Sequence, residues 1–182
     1  GPNQDILFDI NDKNIEIDKK NTKRPYTPKN VDNISINSLG FLLDKNAAIW
    51  RGPVLSSAIN QIYEKTNWGD IDYLLIDMPP GTGDAYLTVC QKIVPDFVIL
   101  VSTISKLSIT DLKRTIDVFK SLNTKILGIV LNNIHQSDGF QDFNLETENV
   151  ILDRIEFNKK FIDSSYPFDD LQLDSLFLNT VR

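Results

Sequence analysis

Three short apolar runs separated by helix-like segments dominate the hydrophobic pattern of this chain. The runs cover residues 73–77, 97–101 and 126–131. Between them, the pattern predicts a helix from Asp84 to about Val94. It predicts a second helix that opens at Ser108, with Asp111 completing a capping box, and ends near Leu122. Buried-type strands that alternate with helices indicate βαβ units, and so an α/β fold with a doubly wound, mostly parallel sheet.

The first third of the chain is less regular. Residues 1–33 are polar, with four basic residues beside two prolines, and predict a mobile loop. Residues 34–38 alternate between apolar and polar side chains, which predicts a short strand. Gly52-Pro53 opens a predicted helix that runs to about Thr66, because proline is preorganised for the first helical turn.

Composition narrows the class of protein. The 182 residues are 41% hydrophobic and 24% charged, enough for a domain with its own core. No apolar run approaches the roughly 20 residues that span a bilayer. Cys90 is the single cysteine, which excludes an internal disulfide and a zinc site of paired cysteines, and favours a reducing compartment. We therefore expect a cytoplasmic protein, or one of an organellar matrix in a eukaryote.

Charge is uneven along the chain. Residues 1–135 carry 15 acids and 15 Lys/Arg, whereas residues 136–182 carry 10 acids and 4 bases, which accounts for the net charge of −6. An acidic C-terminal segment argues against phosphate-backbone binding and against a basic membrane-surface helix. We expect neither nucleic acid nor membrane as a partner.

The loop after the first apolar run carries the candidate chemistry. Asp77 ends that run, and Met78-Pro-Pro-Gly-Thr-Gly-Asp84 follows it. A carboxylate at the end of a buried strand needs a partner, and hydrated Mg²⁺ is one that a nucleotide site supplies. Glycines let backbone N–H groups approach a phosphate, and Asp84 is placed to cap the next helix. The alternative is a tight strand-to-helix turn in which Asp77 only accepts backbone hydrogen bonds.

The full string favours the nucleotide interpretation. Asp-Tyr-Leu-Leu-Ile-Asp-Met-Pro-Pro-Gly-Thr-Gly-Asp at 72–84 closely resembles the Mrp/NBP35 family of deviant-Walker P-loop ATPases, which are iron–sulfur cluster carriers related to MinD and ParA proteins. Further matching blocks are Ser38-Leu-Gly-Phe41, Trp50-Arg-Gly-Pro53, Asn67-Trp-Gly-Asp70 and Leu127-Gly-Ile-Val130 with Asn132. The organisation expected from this resemblance is one P-loop NTPase-like domain over 1–182, partial at its N-terminus, with a matching core at 34–133 and a divergent acidic segment at 134–182.

The resemblance also implies roles for individual residues. Asp77 is the Walker B acid that holds the water shell of Mg²⁺. Gly81, Thr82 and Gly83 form the second switch, which senses the γ-phosphate of ATP. Asp84 orients water or transmits the nucleotide state, and Asn132 reads the adenine. The implied function is an ATP-hydrolysing carrier of iron–sulfur clusters that works as a homodimer and serves recipient or assembly proteins.

Two departures from the family pattern qualify this expectation. The chain has no Gly-x-x-x-x-Gly-Lys-Ser/Thr loop and no lysine-rich variant of it, so we expect the C-terminal part of a longer protein, itself inactive as an ATPase. The family's Cys-x-x-Cys, expected soon after Asn132, is also absent, and Cys90 falls in a predicted helix as a small buried thiol. A bound iron–sulfur cluster is therefore doubtful. The alternatives are a MinD/ParA-like positioning ATPase and a non-catalytic interaction module that keeps the fold.

Overall fold

The computed structural model describes residues 3–12, 14–42, 52–78, 83–133 and 145–157. These residues fall into two compact units, the first ending at Val94 and the second beginning at Pro95. The single domain inferred from the sequence stays a prediction, as does the mobility of residues 1–33.

The first unit contains short helices, one long helix and two small hairpins. The helices are α1 (Gln4–Leu7), α2 (Leu39–Leu42), α3 (Gly52–Lys65) and α4 (Asp84–Thr88), the last continued by a π-helical turn, Val89–Ile93. The strands are β1 (Glu16–Ile17), β2 (Tyr26–Thr27), β3 (Lys29–Val31) and β4 (Ile34–Ile36). β1 pairs with β2 and β3 with β4, both antiparallel. The strand predicted at 34–38 and the helix predicted from Gly52 are thus confirmed.

The C-terminal end of α3 is fixed by a buried threonine. The Thr66 side chain is fully buried, and its hydroxyl donates to the Ile62 carbonyl at 2.6 Å while accepting from Asn37 Nδ2 at 2.6 Å. Thr66 also forms an isolated parallel bridge with Tyr26. The helix therefore ends where Thr66 meets the strands at residues 26–36. This confirms the predicted end of the helix near Thr66.

The strand predicted at 73–77 is not formed. The segment has no strand pairing, and two of its apolar side chains face solvent: Tyr73 is 76% exposed and Leu75 is 90% exposed. A strand exists only where a neighbour accepts and donates its ladder hydrogen bonds, and an apolar run cannot show whether that neighbour is present. The prediction of a buried strand at 73–77 was wrong for this structure.

The second unit is a three-stranded sheet with one long helix. Its elements are β5 (Val98–Ser102), α5 (Lys106–Ser121), β6 (Ile126–Asn132) and β7 (Ile151–Ile155). The strand order is β5-β6-β7, and both pairs are parallel. The predicted strands at 97–101 and 126–131 and the parallel βαβ arrangement are confirmed. β7 was not predicted, because its short apolar run lies in a weakly patterned region.

Helix α5 begins three residues earlier than its sequence suggests. Ser105 is the N-cap, and its Oγ accepts a hydrogen bond from the Ser108 backbone N–H at 3.1 Å. Ser108 is therefore the third helical residue and not the cap, which corrects the capping-box prediction. At the other end, Asn123 adopts a φ of 54°, and Thr124 N–H bonds back to Phe119 O, closing the helix in a Schellman motif.

The core of the second unit requires a glycine at position 128. A Cβ built on Gly128 would lie 2.7 Å from the Val150 carbonyl oxygen and 2.6 Å from Leu152 Cγ. Because this glycine lets β7 approach β6 closely, Ile129 and Leu131 on β6 reach zero exposure.

Candidate functional site

Asp77 lies at the end of the segment 73–77 and is solvent-exposed. Its Oδ2 accepts a hydrogen bond from Gln4 Nε2 on α1 at 3.0 Å. Sequence reasoning missed Gln4, since nothing in a polar N-terminal stretch indicates a partner 73 positions away. The carboxylate therefore has a side-chain donor within the first unit, in addition to facing solvent.

The second predicted element of the site is the loop that opens α4. Gly81 and Thr82 lie outside the described residues. Gly83 is the N-cap of α4, with extended backbone, and a Cβ built on it would meet nothing within 4 Å. Asp84 is the first helical residue, and no side-chain hydrogen bond caps this helix, so the prediction that Asp84 is the cap was wrong. Gly83 is also solvent-exposed.

Asp84 instead faces the beginning of α3. A Cβ built on Gly52, which has a φ of 38°, would lie 2.7 Å from Asp84 Oδ2. One turn further along both helices, Thr88 Oγ1 and Ser56 Oγ are hydrogen-bonded at 2.7 Å, and Thr88 Oγ1 also lies 2.8 Å from the Asp84 carbonyl oxygen. These contacts join the loop at 83–84 to α3. The sequence analysis gave no signal for them.

Asn132 belongs to the second unit. It is the last residue of β6, is half-buried, and lies in register with Ile155 of β7. The next residue, Asn133, is buried, and its backbone N–H donates to Ile155 O at 2.8 Å. The structure therefore places Asn132 at the carboxyl end of a parallel strand, the end at which open α/β sheets bind ligands.

Cys90 lies in the π-helical turn and is half-buried, more accessible than the buried thiol that the sequence predicts. Tyr86 is its neighbour on the same helical stretch. Burial raises the pKa of the Tyr86 phenol above its usual value, and the negative charge of an ionised Cys90 adds to that rise. The phenol is therefore neutral at physiological pH. His135 lies outside the described residues.

The acidic and metal-ligating side chains do not form a cage. Within the described part of the chain, no three His, Cys, Asp or Glu residues are grouped so that they could hold a metal ion. A single exposed carboxylate such as Asp77 fits Mg²⁺ held mainly by water and phosphate oxygens, which is how proteins usually bind this ion. An iron–sulfur cluster does not fit, because it requires several thiolates and the sequence has one cysteine.

None of the helices in the described ranges is both long enough and apolar enough to cross a membrane.

The parallel sheet of the second unit is of the kind found in α/β proteins that bind ligands at the carboxyl ends of their strands. Comparison with known proteins specifies the family. The family described as "ParA: NUBPL iron-transfer P-loop NTPase" matches residues 1–146. The chain belongs to this family, which confirms the resemblance to Mrp/NBP35 proteins.

Individual relatives agree with this assignment. An iron–sulfur cluster carrier protein from Rickettsia felis is 43% identical over 133 residues, covering 72% of this chain and 40% of that protein. An iron–sulfur cluster transfer protein, NUBPL, from Dictyostelium discoideum is 38% identical over 126 residues, covering 65% of this chain and 39% of that protein. The chain thus spans about 40% of the length of these relatives.

A solved structure supports the fold. A nucleotide-binding protein from Archaeoglobus fulgidus, solved in complex with ADP, aligns with a TM-score of 0.64 at 25% identity. The alignment covers 90% of this chain and 68% of that one. The fold is accordingly that of an α/β P-loop NTPase.

Proposed function

We propose that this chain supplies the Mg²⁺-binding, switch and base-recognition residues of an ATP-dependent iron–sulfur cluster carrier. The observation that carries the proposal is the family match over residues 1–146, which includes the whole 72–84 motif. The relatives named as cluster carriers or transfer proteins support the same function.

Each predicted site residue has a role in this proposal. Asp77 holds the water shell of Mg²⁺, an ion that when bound neutralises phosphate charge. The backbone of Gly81, Thr82 and Gly83 senses the γ-phosphate, and the open space beside Gly83 is consistent with that role. Asn132 contacts the adenine. Asp84 transmits the state of the switch, since its carboxylate lies against Gly52.

Residues 1–182 on their own are proposed to bind nucleotide weakly and not to hydrolyse it. The lysine of a P-loop is a principal electrostatic stabiliser of phosphoryl transfer, and this sequence has no such loop. The proposal has three further parts, which are drawn from the family. The protein works as a homodimer, it lies in a reducing compartment such as the cytoplasm, and it transfers clusters to recipient proteins.

Two alternatives make different predictions. A positioning ATPase of the MinD/ParA kind would associate with a membrane surface or a polymer, whereas the 136–182 segment is acidic. A non-catalytic module would fail to turn over ATP even when a phosphate-binding loop is supplied.

The test uses the chain alone and a P-loop fusion, in which a strand–loop–helix segment bearing Gly-x-x-x-x-Gly-Lys-Thr precedes residue 1. We expect Mg²⁺-dependent ATP hydrolysis by the fusion and none by the chain alone. Turnover by residues 1–182 that Asp77→Asn abolishes would contradict the expectation for the chain. A fusion that folds but neither binds nor hydrolyses ATP would favour the non-catalytic module.

Two substitutions in the fusion separate the assigned roles. Asp77→Asn should impair Mg²⁺-dependent hydrolysis more than nucleotide binding, because the acid holds the metal shell and not the base. Asn132→Ala should weaken the binding of ATP and ADP alike, because it contacts only the base. Identical profiles for the two variants would show that the roles are wrongly assigned.

A further inference from the structure

Two contacts join the N-terminal end of α3 to residues 83–88. Asp84 Oδ2 lies 2.7 Å from where a Cβ at Gly52 would be, and the Thr88 hydroxyl is hydrogen-bonded to Ser56 at 2.7 Å. Gly52 and Ser56 are four residues apart on α3, as are Asp84 and Thr88 on the other stretch, so each pair lies on one helix face. The two helices are thus joined at two successive turns.

The opposite end of α3 is held equally firmly. Thr66 is fully buried and accepts from Asn37, and Asn67 N–H donates to Tyr26 O at 2.8 Å. The Gln61 amide donates to the Tyr26 hydroxyl. Because α3 has 14 residues, these two anchored ends are roughly 20 Å apart.

We propose that α3 acts as a lever. A shift of residues 83–88 moves α3, and α3 in turn moves Thr66 and the segment 26–37 that Thr66 contacts. A helix anchored at both ends moves as a body, since its internal hydrogen bonds do not stretch. A displacement of Asp84 and Thr88 is then passed to the Asn37 and Tyr26 contacts. This inference rests on the proposed function for its input, because it takes nucleotide to be what moves residues 83–88.

Gly52 is a positioning residue in this arrangement. Its positive φ disfavours a side chain and the carboxylate crowds one, so Gly52→Ala must displace Asp84 and strain the start of α3. Gly69 is the matched control, because its φ is also positive, 71°, but a Cβ there would meet nothing within 4 Å. Gly52→Ala should therefore lower the midpoint of urea unfolding, and adding Asp84→Ala to it should restore part of that loss. In the double variant of Gly69→Ala and Asp84→Ala, the two changes in unfolding free energy should simply add.

The decisive measurement is amide hydrogen exchange in the full chain. Thr88→Val removes the hydroxyl that contacts Ser56, and we expect exchange at Asn67, at the far end of α3, to rise by at least about threefold relative to Ile129 in the second unit. Thr115→Val is the control, because Thr115 makes the same i−4 bond, to Asp111 O at 2.9 Å, on α5. It should leave exchange at Asn67 itself unchanged, because Thr115 lies in the second unit.

The outcomes are separable. If Thr88→Val changes exchange only in the first turn of α3, its effect is local and the lever is wrong. If it changes exchange equally at Asn67 and Ile129, its effect is a general loss of stability and the lever is again wrong. In the P-loop fusion, Mg²⁺–ATP should alter Asn67 exchange, and Ser56→Ala should remove that response. If the fusion binds no nucleotide by calorimetry, the proposed function fails, while the Thr88→Val result still decides the lever.

Discussion

Gln4 Nε2 donates a hydrogen bond to Asp77 Oδ2 at 3.0 Å, so an amide from α1 occupies an oxygen of the proposed Walker B carboxylate. An ordered water of a Mg²⁺ shell would compete for the same atom. Gln4→Ala should therefore raise the apparent Mg²⁺ affinity of the nucleotide-bound P-loop fusion by about two- to fivefold, the equivalent of up to about 1 kcal/mol for an exposed hydrogen bond. Magnesium titration of nucleotide binding measures the change.

The control for this variant is nucleotide binding in EDTA, which should be the same with and without the Gln4 amide. A loss of Mg²⁺ affinity in Gln4→Ala would mean that the amide orients Asp77 for the metal and does not compete with it.

The segment at 73–77 is where the structure differs most from the sequence pattern. Leu75 is 90% exposed, so Leu75→Lys should change the free energy of unfolding by no more than about 0.5 kcal/mol. Ile129 has no exposed surface, and Ile129→Ala should cost about 2–5 kcal/mol. Urea unfolding of both variants makes the comparison. If Leu75→Lys is as damaging as Ile129→Ala, the segment is buried as its apolar pattern predicts.

The elements predicted correctly are those whose evidence is local. Helix α3 follows from Gly52-Pro53 and its apolar spacing, and β6 from a continuous apolar run. The segment at 73–77 has the same kind of pattern as β6 but no strand beside it, and pairing is not a local property. The capping serine of α5 was misassigned because Ser105 and Ser108 lie one turn apart, and only Ser108 has an acidic residue, Asp111, three positions later.

The site was also predictable only in part, because contacts between distant residues are not a local property of the sequence. Asp77, Asp84 and Asn132 lie in distinctive strings. Their observed neighbours, such as Gln4 beside Asp77, are set by the tertiary arrangement and carry no sequence signature.

The close approach of β7 to β6 yields a stability prediction. Gly128→Ala should cost about 1–3 kcal/mol, because the added methyl would meet the Val150 carbonyl oxygen, a backbone atom that cannot rotate away. Gly83→Ala is the comparison, with ordinary φ and open space, and should cost less than about 1 kcal/mol, since alanine is only a poorer N-cap than glycine there. Equal losses in the two variants would show that β7 does not approach β6 as closely as described.

The raised pKa of Tyr86 predicts a pH dependence. Because the folded state holds the phenol proton more tightly than the unfolded state, the associated stability is complete below the unfolded pKa of about 10 and is lost as pH rises above it. Tyr86→Phe should flatten the decline of unfolding free energy between about pH 9.5 and 11. A parental slope in Tyr86→Phe would contradict the prediction.

The last prediction concerns the cluster that relatives of this chain are named for carrying. A [4Fe–4S] cluster is held by thiolates, typically four, and a symmetric dimer of this chain offers two, one Cys90 from each copy. Cys90 also lies within a π-helical turn and is half-buried, whereas a bridging ligand must reach across a dimer interface. Anaerobic reconstitution with iron and sulfide should therefore leave residues 1–182 without stoichiometric charge-transfer absorbance, and Cys90→Ser should give the same spectrum. A robust cluster in the parent chain that disappears in Cys90→Ser would refute this and place Cys90 at an interface between copies.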